Sequence, residues 1–322
     1  MRPNSLSDYV RELAFISADD WSSVGWKAAN LGSLIALSLP VPCGYCITVA
    51  AFREANNIWL SSNVRNAVTA GKILLSEIQN AVVKAPMPSK VADSITLAYQ
   101  QLSISANMCN VPVAIRSSSV AEDTQQASFA GQFDTFLGIV GPESVLMHVK
   151  RCWASFFSER GQLYAHLHNI NLWDYGMAVI VQRMVDAEKS GVAFTAHPVT
   201  GDESVIAIET IWGLGQRLVS GHVTPDTILV RKADFKVIDE RIAMKTHALR
   251  LAPTPTEGVC EVEVPLHLRN VRCLADQEIR ELSEICIKIE RAHRCAQDIE
   301  WAIDGKKIYI LQARPMTGLR LL

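Results

Sequence analysis

The stretch DIEWAIDGKKIYILQARP, residues 298–315, carries the clearest signal for the fold. Two runs rich in apolar residues flank the dipeptide Asp304-Gly305, which is typical of a tight β-hairpin turn. The sequence therefore predicts one strand over Asp298–Ile303 and a second over Lys307–Gln312. Strands linked in this way are antiparallel, so the stretch favours an antiparallel sheet.

The polar residues of this predicted hairpin suggest a metal site. Side chains alternate along a strand, so Asp298 and Glu300 share a face. Pairing across the turn would bring Glu300 beside Gln312. An acidic oxygen beside an amide oxygen, with Arg314 two residues further on, suits a magnesium ion that bridges phosphates. The alternative is a hairpin exposed to solvent whose polar residues have no function. The many apolar neighbours in the two strands argue against this alternative.

Apolar runs and stripes predict further strands and helices. The predicted strands cover 111–115, 177–182, 192–195, 205–209 and 227–230. One helix is predicted to follow an N-cap at Ser89, with Val91, Ile95, Tyr99 and Leu102 on one stripe. Another is predicted over 143–168, with Val145, Val149, Cys152, Phe156, Leu163 and Leu167 on its inner face, and a third carries Ile279, Leu282, Ile285 and Ile289. Mixed helices and hairpin-linked strands predict an α+β fold with largely antiparallel sheets. Residues 231–276 give no clear assignment.

Two other segments suggest binding of an anion. Arg116 ends an apolar run and precedes three serines and the pair Glu122-Asp123, and a guanidinium among hydroxyls is a natural phosphate ligand. The small-residue turn 128–132 follows. The alternative is that Arg116 forms an ion pair with Glu122 or Asp123. Lys27, among small residues at the predicted start of a helix, is a weaker candidate of the same kind.

Composition limits the classes of function. The chain has 322 residues, half of them hydrophobic (49%), and a net charge of −2, which excludes general disorder and argues against a broad nucleic-acid-binding face. We expect a cytosolic protein, because no apolar run is long enough to span a membrane and the start shows no signal peptide. Cys43 and Cys46 have the spacing of a redox pair, but no helix pattern begins there, so reduced core cysteines are the simpler interpretation.

Together these segments resemble the N-terminal ATP-binding domain of the phosphoenolpyruvate synthase and pyruvate phosphate dikinase family, which rifampicin phosphotransferases share. The likeness rests on KAANLG (27–32), PVP (40–42), RSS (116–118), SFAGQ (128–132), VQRM (181–184), SGVAFT (190–195), WGLG (212–215), DIEWA (298–302) and LQARP (311–315). These motifs occur in order over nearly the whole chain, so the resemblance is specific.

The resemblance implies an ATP-grasp fold, in which an N-terminal lobe (1–178) and a C-terminal lobe with the metal-binding hairpin (179–322) clamp the nucleotide. It assigns phosphate contacts to Lys27, Arg116 and Arg314, the phosphate loop to Gly131 and Thr135, the neighbourhood of the adenine to Gln182, and magnesium to Glu300 and Gln312. The implied enzyme is an ATP-dependent phosphotransferase that forms AMP and phosphate. It phosphorylates a histidine on a swivelling domain, for transfer to pyruvate or another small molecule.

Three residues depart from the family pattern. Trp26 replaces the second of two glycines before the lysine, His197 replaces an aspartate, and Gln216 replaces a glutamate. The chain also stops soon after Pro315, and no histidine lies in the small-residue setting that the family uses. The sequence therefore suggests one subunit of a split system, as in phenylphosphate synthase-like enzymes, or an isolated domain. The alternative is a catalytically weakened nucleotide-binding or regulatory subunit.

Overall fold

The first of three antiparallel sheets among the described residues carries a large helical layer. The computed structural model describes residues 7–120, 134–159, 161–163, 173, 175–219, 221–253 and 258–316. The five-stranded sheet has the order β1-β2-β5-β3-β4. Its strands are β1 (Val10–Glu12), β2 (Gly44–Ile47), β3 (Val113–Ser119), β4 (Thr135–Ile139) and β5 (Met177–Arg183). The helices of this region are α1 (Trp21–Ala36), α2 (Val49–Asn56), α3 (Ser62–Thr69), α4 (Leu75–Lys84), α5 (Ser89–Ser105) and α6 (Pro142–Ser155).

The core of this region lies on one face of the sheet. Val113, Ile115, Val179 and Val181 alternate along β3 and β5 and are buried together with the inner faces of α2, α4, α5 and α6. The predicted stripe of α5 is confirmed, because Val91, Ile95, Tyr99 and Leu102 are all buried. The other face of the sheet carries Arg116 and Gln182.

The second sheet has six strands in the order β13-β12-β6-β7-β8-β9. They are β6 (Lys189–Phe194), β7 (Val205–Trp212), β8 (Asp226–Arg231), β9 (Val237–Arg241), β12 (Gln297–Asp304) and β13 (Lys307–Pro315). The short helix α7 (Gln216–Val219) follows β7, and α8 (Asp276–His293) packs against β12 and β13. The segment without a sequence assignment forms β9 and the two-stranded sheet of β10 (His247–Leu251) and β11 (Val259–Glu263).

The α+β class with antiparallel sheets is confirmed, since every strand pair named above is antiparallel. The chain divides into two compact units: 1–33, 43–184 and 254–258 form the first, and 34–42, 185–253 and 259–322 form the second. The boundary expected after residue 178 falls inside β5. Among the described helices, none combines the length and hydropathy needed to cross a bilayer.

Several predicted element boundaries are wrong. The helix expected to reach residue 168 ends at Ser155, because a turn there lets the adjacent rings of Phe156 and Phe157 both pack against Phe52. Residues 161–163 are helical again, and Leu163, assigned to the inner face, is 62% exposed. Leu167 lies outside the described residues.

Strand β3 does not end at Arg116 but continues through Ser119, since Ser117–Ser119 pair with β5. A helix does begin after Cys46: Thr48 caps α2 by accepting a hydrogen bond from the amide of Ala51 at 3.4 Å. The predicted N-cap Ser89 is instead the first residue of α5, and Pro88 occupies the N-cap position.

Candidate functional site

A break in α1 places Lys27 at the start of a helical segment. Gly25 has φ 75° and ψ 163°, so the helix is interrupted there and resumes at Trp26. Lys27 is the second residue of the resumed helix, where backbone amides point outward and the helix dipole favours anions. The predicted position of Lys27 at the opening of a helix is confirmed.

The hydroxyl of Ser118 on β3 bridges this break. It donates to the carbonyl oxygen of Val24 at 2.8 Å and accepts from the amide of Ala28 at 3.1 Å. An unbroken helix would join these two backbone groups directly. A side chain at Gly25 would collide with the backbone of Ser118, and the positive φ also favours glycine. Ser118 thereby fixes the start of the Lys27 helix to the sheet.

Arg116, Thr135 and Gln182 lie on the face of the sheet that contacts α1. Arg116 and Ser118 are alternate residues of β3, so their side chains share a face. Arg116 pairs with Thr135 of β4 and with Ile180 of β5. Gln182 is two residues from Ile180 and is 3% exposed. The fold thus gathers these three residues and the Lys27 helix on one side of the first unit.

One predicted member of this set lies outside the described residues. Gly131 belongs to the segment 128–132 that the sequence predicts to be a turn, and residues 121–133 are not described. The same holds for Glu122 and Asp123, the acids that could have formed an ion pair with Arg116. Thr135, which begins β4 directly after this segment, is exposed.

The final hairpin brings Glu300 beside Gln312, as predicted. Glu300 of β12 is paired directly with Gln312 of β13, and a bulge follows between Glu300 and Trp301. Asp298 is paired with Arg314, whose Nε and Nη2 donate to Oδ2 of Asp298 at 2.9 and 2.8 Å. Directly paired residues of neighbouring strands point to the same face of a sheet. The side chains of Glu300 and Gln312 and the ion pair of Asp298 with Arg314 therefore lie on one surface.

The opposite side of this hairpin explains why these polar residues share a surface. Ile299, Trp301 and Ile303 alternate with them along β12 and are fully buried. Gly191 on β6 permits the ring of Trp301 to lie close, because a Cβ there would be 2.6 Å from the indole. The apolar residues lock the register, and the polar set is left on the other face.

Glu209 is a third carboxylate on this surface that the sequence analysis did not identify. Val192 of β6 pairs with both Glu300 and Glu209, so all three side chains share a face. Burial and repulsion from Asp298 raise the pKa of Glu209. Alternation along β7 could have given its face, but its alignment with Glu300 depends on strand order, which the sequence did not predict.

The side-chain oxygens of Glu300 and Gln312 are suited to a magnesium ion whose other ligands are substrate phosphates and water. No group of three or more His, Cys, Asp or Glu side chains in the described ranges is arranged to hold a metal by itself. Magnesium is commonly bound by one or two protein oxygens together with substrate phosphates and water. The carboxylate of Glu300 and the amide oxygen of Gln312 match this requirement.

The residues that depart from the family pattern have definite positions. Nδ1 of His197 accepts hydrogen bonds from the amides of Val199 and Thr200, both at 3.2 Å, so it closes a turn as a carboxylate would. Gln216 is the first residue of α7. Trp26 stacks on Trp21.

The cysteine pair lacks the environment of a reactive dithiol. Cys46 is fully buried within β2, and burial raises the pKa of its thiol. Cys43 is exposed and precedes the strand. A nucleophilic thiolate requires a lowered pKa, so the geometry favours structural cysteines.

Comparison with known proteins gives consistent matches. The family model described as "Pyruvate phosphate dikinase, AMP/ATP-binding domain" matches residues 21–320. The probable phosphoenolpyruvate synthase of Methanothermobacter thermautotrophicus is 39% identical over 321 residues, covering 97% of this chain and 46% of the relative. The phosphoenolpyruvate synthase of Aeropyrum pernix is 37% identical, with 94% and 41% covered. The chain thus spans less than half the length of these relatives.

A solved structure of D-alanyl-alanine synthetase A from Vibrio cholerae matches more distantly. It is 10% identical with a TM-score of 0.32, over 94% of this chain and 58% of that chain. This likeness is too low to support an argument about the fold.

Proposed function

Because the chain belongs to the family of pyruvate phosphate dikinase AMP/ATP-binding domains, we propose that it is a magnesium- and ATP-dependent phosphotransferase module. It adopts the ATP-grasp fold, and its two units are the two lobes of that fold. The observation that carries the proposal is the direct pairing of Glu300 with Gln312 beside the Arg314–Asp298 pair.

The first unit supplies groups for the nucleotide. Lys27 and Arg116 provide cations on one face of its sheet, and the phosphate loop is assigned to Gly131 and Thr135. A cation near a helix start and a guanidinium on the adjacent strand are suited to a polyphosphate. Gln182 lies beside the adenine.

The second unit supplies the magnesium site. Glu300 and Gln312 hold the ion, which neutralises phosphate charge when bound. Arg314 contributes a further cation to the phosphates, and Asp298 orients its guanidinium. Since Glu209 lies on the same face as Glu300, it adds negative potential that attracts the ion.

The acceptor of the phosphoryl group is a histidine on a separate domain or polypeptide. ATP is converted to AMP and phosphate, and the phosphohistidine then serves an acceptor such as pyruvate or another small molecule. The relatives named phosphoenolpyruvate synthase are more than twice as long as the matched part, which supports a second component. We place the protein in the cytoplasm.

A second candidate is a nucleotide-binding or regulatory subunit with weakened catalysis. Gln216 favours it, because an amide stands where the family has a carboxylate. His197 favours it less than its sequence position suggests, since its imidazole makes the turn contacts that an aspartate could make.

Calorimetric titration with ATP and adenosine tests the phosphate assignment. Arg314→Ala should weaken ATP binding by about ten- to a hundredfold, since a charge-assisted hydrogen bond is worth roughly 1.5–3 kcal/mol, and should leave adenosine binding unchanged. Arg272→Ala is the matched control, because both arginine side chains are 26% exposed and paired with acids. An equal loss for both ligands, or the same loss in the control, would contradict the assignment.

A further inference from the structure

Two tryptophans bracket the break in α1. Trp21 begins the helical turn before Gly25, and Trp26 begins the segment after it. Their rings are stacked, with centroids 5.0 Å apart and planes inclined by 8°. Aromatic stacking of this kind is favourable beyond the area it buries. The stack therefore joins the two parts of α1 through side chains at the point where the backbone helix is interrupted.

Stacking is the interaction that best accounts for the placement of Trp26. Its Nε1 is buried, and within the described residues it has no hydrogen-bond acceptor. An indole N–H left in this way is unfavourable, so hydrogen bonding does not hold the ring. Trp21 remains 37% exposed, and burial of this ring is therefore only partial.

The location of the stack matters for Lys27. Trp26 is covalently next to Lys27, and the preceding residue is a glycine with many accessible conformations. Two contacts restrict that glycine: the Ser118 hydroxyl bridge on the sheet side and the indole stack. Loss of either would let the start of the Lys27 helix move relative to β3.

We propose that Trp21 and Trp26 are positioning residues that lock α1 across Gly25 and thereby hold Lys27 for the nucleotide phosphates. This inference rests on the proposed function, because it requires Lys27 to bind ATP. Neither ring contacts the reacting atoms.

The test compares ATP and adenosine affinities in variants of the full chain. Trp26→Gly and Trp21→Ala each remove the stack, whereas Trp26→Phe keeps an aromatic ring and removes only the N–H. We expect the first two to weaken ATP relative to adenosine by about three- to tenfold, the range that corresponds to a lost aromatic pair, and Trp26→Phe to retain the ratio. Thermal melting identifies any variant that loses its fold, and Trp21→Ala, at the more exposed ring, provides the second measurement.

The variant Lys27→Ala distinguishes a failure of the positioning role of the tryptophans from a failure of the proposed phosphate contact. A loss of ATP affinity in Lys27→Ala, with an unchanged ATP-to-adenosine ratio in folded Trp26→Gly and Trp21→Ala, overturns the positioning role and leaves the proposed function standing. Unchanged ATP affinity in Lys27→Ala overturns the positioning role and removes Lys27 from the proposed phosphate contacts. A loss in Trp26→Phe as large as in Trp26→Gly would also contradict the role of the stack.

Discussion

Glu300, the proposed magnesium ligand, is held in place by its neighbours in the final hairpin. Its strand is locked by the buried Ile299 and Trp301, and its direct partner across the hairpin is Gln312. We expect Glu300→Gln to remove most of the tightening of ATP binding that magnesium produces, because the loss of one charged ligand is worth roughly 1.5–3 kcal/mol.

Calorimetry with ATP in magnesium and in EDTA measures this effect. Glu240→Gln, on β9 of the same sheet, is the control and should keep the full magnesium dependence. Unchanged magnesium dependence in folded Glu300→Gln would show that the ion binds elsewhere.

Glu209 gives a pH-dependent prediction at the same scale. Burial and the neighbouring Asp298 raise its pKa, so the folded protein holds its proton to higher pH than the unfolded chain does. The carboxylate therefore reduces the free energy of unfolding progressively as pH rises through its titration range. Glu209→Gln should be more stabilising at pH near 7 than at pH near 4, as urea unfolding at the two values would show. An equal effect at both pH values would contradict it.

At the scale of elements, α1 depends on a hydroxyl from a distant strand. Ser118 bonds both backbone groups freed by the break at Gly25, and inserted side chains are a recognised cause of helix kinks. Ser118→Ala would leave these buried groups unsatisfied, at a cost of roughly 1–3 kcal/mol in unfolding free energy. Ser94→Ala, an exposed helix serine bonded to the carbonyl of Lys90, should change stability by less than about 0.5 kcal/mol. Similar values from chemical unfolding would contradict the bridging role.

The elements also show what the sequence could predict. The antiparallel pairing of the final two strands was predictable from the Asp304-Gly305 turn, a local signal, although the match of Glu300 with Gln312 also depends on the bulge between Glu300 and Trp301. The end of α6 at Ser155 was not, since it depends on packing of Phe156 and Phe157 against Phe52, about a hundred residues earlier.

For the whole molecule, motif order predicted the family, whereas the assignment of phosphate and metal contacts to individual side chains stays a prediction. The gathering of Arg116, Thr135 and Gln182 on one face required strand pairings β3–β4 and β3–β5 that no local pattern contains. Glu209 was missed for the same reason, since its relation to Glu300 passes through β6. Strand order between distant segments is set by the packing of the complete core, and hence is not readable from any one motif.

We propose that this chain binds Mg-ATP and passes the phosphoryl group to a histidine on a separate domain or polypeptide. In-line transfer needs a positioned nucleophile, and no histidine in the sequence lies in the small-residue setting that the family uses. The decisive measurement uses β-labelled ATP with this chain alone, and with the part of the Methanothermobacter thermautotrophicus relative that it does not cover. We predict slow turnover and no phosphohistidine on the chain alone, and AMP release with label on the added segment. A stoichiometric, acid-labile phosphohistidine on this chain alone, with His197 and His222 the first positions to examine, would contradict the account.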